Sequence, residues 1–167
     1  MNRLYLLRHA RARWGEPGSR DYDPPLEESG KADAQALASL MLAAGYVPDL
    51  VLCSGALRAR ETWNAASHHL EAQDVRYLDS LYSSDAAGYL DIIRESGDAA
   101  SIMVVGHNPM MEDLCSALAR KGTPTALASV ARGFPTCGLA VISFPEQGEQ
   151  IAPKNGYLED FLAPVDL

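Results

Sequence analysis

The chain has few cysteines and no long hydrophobic run. Its three cysteines, among 167 residues, lie at positions 53, 115 and 137, a spacing that offers neither a CxxC pair nor a plausible disulfide framework. No apolar run approaches the roughly 20 residues of a membrane-spanning helix, and the first residues lack the apolar stretch of a signal peptide. We therefore expect a cytoplasmic protein that makes no contact with membranes.

Positive charge is also scarce. The chain has 14 Lys and Arg residues against 22 Asp and Glu, a formal net charge of −8. This balance argues against a nucleic-acid partner, because phosphate backbones are bound by clustered Lys and Arg. The sequence contains no GxSxG, Walker or GxGxxG motif, so serine hydrolase, NTPase and dinucleotide-binding functions have no support.

Repeats, linkers and low-complexity segments are missing as well. With 47% hydrophobic residues, a chain of this length can bury one sizeable core. We expect a single domain over residues 1–167 and a monomer.

What the sequence does contain is arginine or histidine after three separate apolar runs. The runs and the residues that follow them are 4–7 with Arg8 and His9, 48–54 with Arg58, and 101–106 with His107. Short apolar runs of this kind are typical of buried strands. If the sheet is parallel, the carboxyl ends of all three strands lie at one edge, which is where open α/β sheets bind ligands.

An arginine beside a histidine at such an edge suits a phosphoryl group. The guanidinium of Arg8 offers a planar fork of donors for two oxygens, and the neutral imidazole of His9 offers a nitrogen nucleophile. The plainer interpretation is that the pair caps a strand at the surface. Because arginine or histidine follows three predicted strands and not one, we favour a role for these residues in phosphoryl chemistry.

Strand and helix patterns alternate along the chain. This alternation predicts an α/β fold: a three-layer α/β/α sandwich with a mainly parallel central sheet and an antiparallel edge hairpin. The predicted strands cover residues 4–7, 48–54, 75–78, 101–106, 138–144 and 156–162, and the last two form the hairpin. The predicted helices cover residues 29–44, 57–70, 85–95 and 110–120. Residues 11–25, rich in Gly and Pro, form a loop beside the site.

Three local predictions accompany these helices. The first helix is expected to end at Gly45. Its buried face is expected to consist of apolar residues at helical spacing, namely Leu37, Leu40, Met41 and Ala44. The third helix buries Leu90 and Ile93. Asn108 is the N-cap of the fourth helix, with Pro109 at its first position.

Three motifs, in this order, resemble the histidine phosphatase superfamily. They are Leu7-Arg8-His9-Ala10, residues 54–62 with Arg58, and Val105-Gly106-His107-Asn108-Pro109. Within the superfamily the chain is most similar to the small SixA-type phosphohistidine phosphatases, which have a phosphoglycerate mutase-like fold. Further similarities are Pro25-Leu26 before Gly30, Phe134-Pro135-Thr136 before a strand, and the closing residues 163–167. The resemblance covers nearly the whole chain.

The resemblance implies a phosphatase that acts through a phosphohistidine intermediate on His9. Arg8, Arg58 and His107 would bind the phosphoryl oxygens, and Asn108 and the helix N-terminus after it would assist. The substrate would be a phosphorylated protein or a small phosphorylated molecule. We expect no cofactor and no metal, since the cationic side chains supply the charge that a metal ion would provide.

The chain departs from the family pattern at several positions. Ala10 replaces the usual glycine of Arg-His-Gly, Gly55 replaces a proline, and Pro24 stands where many relatives have a basic residue. Larger members also carry a glutamate proton donor after the third strand. No glutamate lies there in this chain; Asp85 is the nearest candidate, although it also fits a helix start.

Other functions remain open at this stage. Cys53 with Arg58 suggests a cysteine-dependent phosphatase loop, but only four residues separate them where five are needed, so Cys53 fits a buried strand residue better. A non-catalytic module that binds phosphorylated ligands would use the same pocket. A phosphomutase would need to exclude water with a lid, and few residues are spare for one.

Overall fold

The computed structural model describes residues 2–144 and 151–164. The strands are β1 (Arg3–Arg8), β2 (Leu50–Ser54), β3 (Asp74–Leu78), β4 (Ser101–Gly106), β5 (Lys121–Gly122), β6 (Leu139–Ser143) and β7 (Tyr157–Leu162). The helices are α1 (Glu28–Ala44), α2 (Leu57–Ala66), α3 (Ser80–Ser83), α4 (Ala86–Glu95), α5 (Met110–Leu118) and α6 (Pro124–Ala131). Residues 165–167 of the closing segment lie outside the described residues.

All seven strands belong to one sheet, in the order β3-β2-β4-β1-β6-β7-β5. The first four strands in this order are parallel to one another. β6 runs antiparallel to both of its neighbours, β1 and β7. The predicted mainly parallel sheet with an antiparallel hairpin is therefore confirmed. The two-residue strand β5 pairs outside β7, so the hairpin lies one strand in from the edge.

Alternation of side chains along the strands produces two cores, one on each face of the sheet. In β1, Leu4 and Leu6 belong to one core, whereas Tyr5 and Leu7 belong to the other. The first core is covered mainly by α4 and α5, and the second by α1 and α2. Strand residues that are apolar at every position can satisfy both faces, which explains why β1, β2 and β4 are continuous apolar runs.

The register of the parallel strands brings the predicted site residues to one edge. Arg8 at the end of β1 lies opposite Gly106 at the end of β4, so His9 and His107 leave neighbouring strands at the same level. β2 pairs with β4 on the other side, with Cys53 opposite Val105. The expected convergence of the three strand ends therefore occurs.

Some local predictions were wrong. α1 ends before Gly45 as expected, but Leu40 and Ala44 are exposed. Its buried face consists instead of Gly30, Ala34, Leu37, Ala38 and Met41. Small residues face inward because the helix packs closely against its neighbours, and this closeness is not encoded in the spacing of the large apolar residues.

In α4 the fully buried residues are Tyr89 and Ile93, and Leu90 is only partly buried. α2 ends at Ala66 rather than at residue 70. The helices α3 and α6 were not predicted, although Thr123 caps α6 by accepting a hydrogen bond from the Ala126 N–H. Among the described residues, no helix has both the length and the apolar character needed to cross a membrane.

Candidate active site

His9 is the first residue after β1, and its ring has a defined protonation pattern. Its backbone N–H donates to the carbonyl of Gly106 at 3.0 Å, which ties the end of β1 to the end of β4. The ring nitrogen Nδ1 lies 2.8 Å from the carbonyl oxygen of Ala10. A carbonyl oxygen can only accept, so Nδ1 carries the proton and Nε2 keeps its lone pair. The orientation is that of a nitrogen nucleophile.

His107 follows β4, and its ring centre lies 5.2 Å from that of His9. Its Nε2 is 2.8 Å from the hydroxyl oxygen of Ser54, the last residue of β2. The Ser54 oxygen already accepts a hydrogen bond from the Ala56 N–H at 3.2 Å. Ser54 is fully buried, so its hydroxyl hydrogen needs an acceptor, and Nε2 of His107 provides one.

This hydrogen bond gives His107 the tautomer opposite to that of His9. If Nε2 accepts from Ser54, the ring proton of neutral His107 is on Nδ1. Nδ1 is buried and has no hydrogen-bond partner in the described residues. A buried donor left without a partner is costly, and an anionic ligand would satisfy it. The two rings thus combine one free lone pair with one free N–H.

Both imidazoles are held neutral. Burial, together with the positive charges of Arg58 and Arg8, lowers the pKa of His9 from 6.5 to about 4. Burial, together with the effects of His9 and Arg58, lowers the pKa of His107 from 6.5 to about 3. Desolvation disfavours the charged form of a histidine. At neutral pH His9 is therefore a competent nucleophile and His107 a neutral donor.

Arg8 contributes a partly buried guanidinium next to His9. Its Nη1 donates to the carbonyl of Phe134 at 2.8 Å, which fixes the side chain. Its Nε is buried and, like Nδ1 of His107, has no hydrogen-bond partner in the part of the chain that the structure describes. Two unsatisfied donors near one histidine nucleophile are the arrangement that an oxyanion requires.

Arg58 is held differently, by the loop that the sequence predicted beside the site. Its guanidinium donates to the Asp21 carboxylate at 3.1 Å and also to the Asp21 backbone carbonyl. The hydroxyl of Tyr82, on α3, donates to the same carboxylate at 3.0 Å. The Tyr82 ring also contacts the His107 ring, with centres 5.7 Å apart. The carboxylate and the backbone carbonyl of Asp21 therefore each accept from one nitrogen of the Arg58 fork, where two phosphoryl oxygens could bind.

Thr62 joins the end of β1 to the start of α2. Its hydroxyl accepts from the Ala10 N–H at 2.9 Å and donates to the Arg58 carbonyl at 2.7 Å. This bridge sets the position of His9 relative to Arg58. Ala10 is fully buried, and its φ angle is negative, so the replacement of glycine by alanine here carries no backbone strain.

Gly55, which replaces a proline of the family pattern, lies next to a contact between the 11–25 loop and the sheet edge. The Tyr22 hydroxyl donates to the Asp79 carboxylate at 2.7 Å, and a Cβ at position 55 would collide with that carboxylate. Glycine at this position lets the pair form, which helps to hold the 11–25 loop over the site.

Asn108 does not have the predicted local role. Pro109 is the N-cap of α5, which begins at Met110. The Asn108 side chain accepts from the Glu112 N–H at 3.2 Å and donates to the Phe134 carbonyl at 3.1 Å. The Phe134 carbonyl therefore accepts from both Asn108 and Arg8. Asn108 is not the N-cap because α5 begins one residue later than expected. Phosphate binding by Asn108 stays a prediction.

Asp85 is the N-cap of α4. Its carboxylate accepts from the Gly88 N–H at 2.9 Å, which is the helix-start role that the sequence also allowed. It makes no hydrogen bond or ion pair with the four predicted site residues within the described ranges. The structure instead brings Asp21 to the site, together with Ser54 and Tyr82, and sequence reasoning identified none of these three.

The other candidate groups of the sequence are in structural positions. Cys53, Cys115 and Cys137 are buried, and burial raises the pKa of the Cys53 thiol, which disfavours a thiolate nucleophile. No three His, Cys, Asp or Glu side chains within residues 2–144 and 151–164 form a metal-binding group. An open cavity of about 550 Å³ lies beside His9 and Arg58 and is walled by the 11–25 loop.

Comparison with known proteins places this chain in a family. Residues 4–89 match the model of the histidine phosphatase superfamily (branch 1). The chain is 32% identical to an uncharacterised chloroplast protein of Arabidopsis thaliana, over 97% of this chain and 78% of that protein. It is also 32% identical to an uncharacterised protein of Mycobacterium tuberculosis, over 95% of this chain and 99% of that protein.

A solved structure gives a similar result. A crystal structure from Agrobacterium tumefaciens, assigned to the phosphohistidine phosphatase SixA, is 40% identical to this chain. The two superpose with a TM-score of 0.83, over 98% of this chain and 99% of that one. The matched segment includes His9 after β1 and Arg58 at the start of α2, and the chain belongs to the histidine phosphatase superfamily (branch 1).

Proposed function

We propose that this protein hydrolyses phosphohistidine, or similar activated phosphoryl groups, through a phosphohistidine intermediate on His9. Membership of the superfamily and similarity to a SixA-type structure support a phosphatase. The observation that carries the proposal is the pairing of tautomers: Nε2 of His9 has a free lone pair, while Nδ1 of His107 and Nε of Arg8 are buried donors with no partner among the described residues.

In the first step Nε2 of His9 forms a bond to phosphorus, and the bond from phosphorus to the leaving group breaks. The His9 ring becomes cationic, and its Nδ1–H, which donates to the Ala10 carbonyl, is stabilised by that acceptor. In the second step a water oxygen attacks phosphorus, the bond to Nε2 breaks, and inorganic phosphate leaves. One difficult displacement is thereby divided into two easier ones.

Arg8, Arg58 and His107 bind the phosphoryl oxygens in both steps. The charge on these oxygens is best stabilised by donors that are already in position. Arg8 and His107 meet this condition in the structure. Arg58 is bound to Asp21, so in this mechanism the phosphoryl group takes over the donors that the Asp21 carboxylate now occupies.

The ionised state of Asp21, the carboxylate that binds Arg58, favours a substrate with an activated phosphoryl group. The hydrogen bond from Tyr82, reinforced by Arg58, lowers the pKa of Asp21, so this residue is ionised at neutral pH and is a poor proton donor. Alkoxide leaving groups need a strong acid in the transition state. A phosphorylated imidazole leaves readily once its own ring nitrogen is protonated. Phosphohistidine therefore suits this site better than an alkyl phosphate does.

The test is to trap and locate the phosphoryl group. The enzyme is mixed with a peptide that carries ³²P-phosphohistidine and is quenched in alkali, and the labelled residue is mapped, with His9→Ala as the control. We expect label on His9 and none in the variant. Label on Cys53, or peptide binding without any turnover, would contradict the proposal.

A substrate comparison tests the preference for activated phosphoryl groups. We expect kcat/KM to decrease from a phosphohistidine peptide to an aryl phosphate and then to a sugar phosphate. A clear preference for the sugar phosphate would mean that the site contains an effective proton donor, against the proposed substrate class.

A further inference from the structure

The 11–25 loop presents a group of arginines that is unusual for so acidic a chain. The cavity beside His9 is lined by four arginines and two carboxylates: Arg11, Arg13, Arg20, Arg58, Glu16 and Asp21. The whole chain, by contrast, has a net charge of −8. The cavity therefore has more cationic than anionic side chains in its lining, although the chain as a whole is acidic.

Two of these arginines have side chains with no partner in the part of the chain that the structure describes. Arg20 is paired with Asp23, and Arg58 with Asp21. The side chains of Arg11 and Arg13 are exposed and form no ion pair or side-chain hydrogen bond within the described residues. Solvent-exposed guanidiniums are available to an external anion.

An exposed aromatic residue lies next to them. The Trp14 side chain is 96% exposed, the largest exposure among the large hydrophobic residues that the structure describes, and it lines the same cavity. An exposed tryptophan beside a cavity offers a large apolar surface on which a partner side chain can pack. Trp and Arg are also the residue types that carry most of the binding energy at protein interfaces.

The shape of this surface fits a polypeptide better than a small molecule. Small-molecule sites enclose most of the ligand surface. Here every residue from Arg13 to Asp21 is exposed, so the loop forms one wall of an open groove that cannot enclose a small ligand.

We propose that Arg11, Arg13 and Trp14, here called the docking rim, bind an acidic surface of the phosphorylated protein that presents its phosphohistidine to His9. The two arginines contact carboxylates that flank the phosphorylated residue, and Trp14 packs on an apolar side chain of the partner. This inference rests on the proposed function, because it identifies the kind of substrate that the same site accepts.

The test uses three synthetic probes. They are a phosphohistidine peptide flanked by glutamates, the same peptide flanked by glutamines, and phosphoramidate as a small substrate. In the double variant Arg11→Gln/Arg13→Gln we expect KM for the glutamate peptide to rise roughly tenfold, as is typical for the loss of two exposed charge contacts. The wild-type preference for this peptide should also weaken as ionic strength rises. Turnover of phosphoramidate should not change.

Arg120→Gln is the matched control, since Arg120 is an exposed arginine beyond the far end of α5. It should leave all three substrates unaffected. Trp14→Ala should raise KM for both peptides and not for phosphoramidate, because the apolar contact does not depend on the flanking charge.

Equal KM values for the two peptides, with phosphoramidate still hydrolysed, would overturn the docking rim and leave the proposed function intact. If none of the probes is hydrolysed, the proposed function fails, and the rim is tested by calorimetric binding of the glutamate peptide to His9→Ala. If adding the double substitution to His9→Ala leaves this binding unchanged, the rim is overturned as well.

Discussion

The hydroxyl oxygen of Ser54 lies 2.8 Å from Nε2 of His107, although 53 positions separate the two residues in the sequence. The contact joins the end of β2 to the residue after β4. It leaves the Nδ1–H of His107 without a hydrogen-bond partner among the described residues, whereas the Ala10 carbonyl gives His9 the reverse tautomer. The two neutral histidines therefore differ in which ring nitrogen carries the proton, because of their hydrogen-bond partners.

Removing this hydroxyl should impair the chemical step. We expect Ser54→Ala to lower kcat roughly ten- to a hundredfold with a smaller effect on KM. Losing one transition-state donor lowers kcat about a hundred- to a thousandfold, and this variant misorients the His107 donor without removing it. In the ¹⁵N spectrum, His107 should change from one tautomer to a mixture. Ser101→Ala, which removes a buried serine hydroxyl at the opposite end of β4, is the control for general destabilisation. Similar kcat values for the two variants would refute the role of Ser54.

Asp21 should compete with phosphoryl ligands for Arg58. In Asp21→Asn the guanidinium of Arg58 loses its charged partner, so inorganic phosphate or vanadate should inhibit more strongly, by roughly two- to fivefold, as an exposed ion pair of this kind implies. Asp23→Asn alters an exposed carboxylate of the same loop that pairs with Arg20, and it should not change inhibition. Weaker inhibition of Asp21→Asn would indicate that Asp21 assists binding.

Asp85 should matter for stability and not for catalysis. Asp85→Ala removes the cap of α4 and should lower the free energy of unfolding by about 1 kcal/mol, whereas Asp85→Asn retains a good capping side chain. Both variants should keep kcat near the wild-type value. Urea denaturation and steady-state kinetics measure the two effects, and a large loss of kcat in Asp85→Asn would reinstate this residue as the proton donor.

Acid should destabilise the fold in a defined pH window. The pKa values of His9 and His107 are lowered from 6.5 to about 4 and about 3, so below pH 6.5 the unfolded chain binds more protons than the folded one. The stability that comes from the neutral rings is complete above pH 6.5 and is lost progressively as the pH falls toward 4 and then 3. Urea midpoints measured across this range should decrease less steeply in His9→Gln and His107→Gln than in the wild type. Equal slopes would contradict the low pKa values.

Chelation should leave activity unchanged. In the proposed mechanism Arg8 and Arg58 supply the positive charge that a metal ion provides in other phosphoryl-transfer sites. We expect the same kcat/KM before and after treatment with EDTA. A loss that one divalent metal restores would be evidence for a metal-dependent mechanism.

Much of the framework is determined locally and was therefore readable in the sequence. The runs that form β1, β2 and β4 are apolar at successive positions because both faces of these strands are buried, and that pattern identifies central strands. Once those strands are parallel, the positions of His9 and His107 after them follow from topology alone.

The face of α1 shows where local patterns fail. Leu40 was expected to be buried, but the helix turns Gly30, Ala34 and Ala38 inward. A side chain at position 30 would collide with the backbone carbonyl of Arg11, so glycine at this position allows the start of the loop to lie against the helix. The distance between two packed elements is a tertiary quantity, and the spacing of large apolar residues does not report it.

The sequence by itself determined which residues stand at the ends of the strands, because burial on both faces of a strand leaves a strong signature in consecutive residues. Only the tertiary structure decided which nitrogen of His107 is free, and that Asp21 meets both Arg58 and Tyr82. These relationships depend on hydrogen bonds between side chains far apart in the chain. Such bonds form only after packing has fixed the distances and excluded water, so no periodicity in the sequence encodes them.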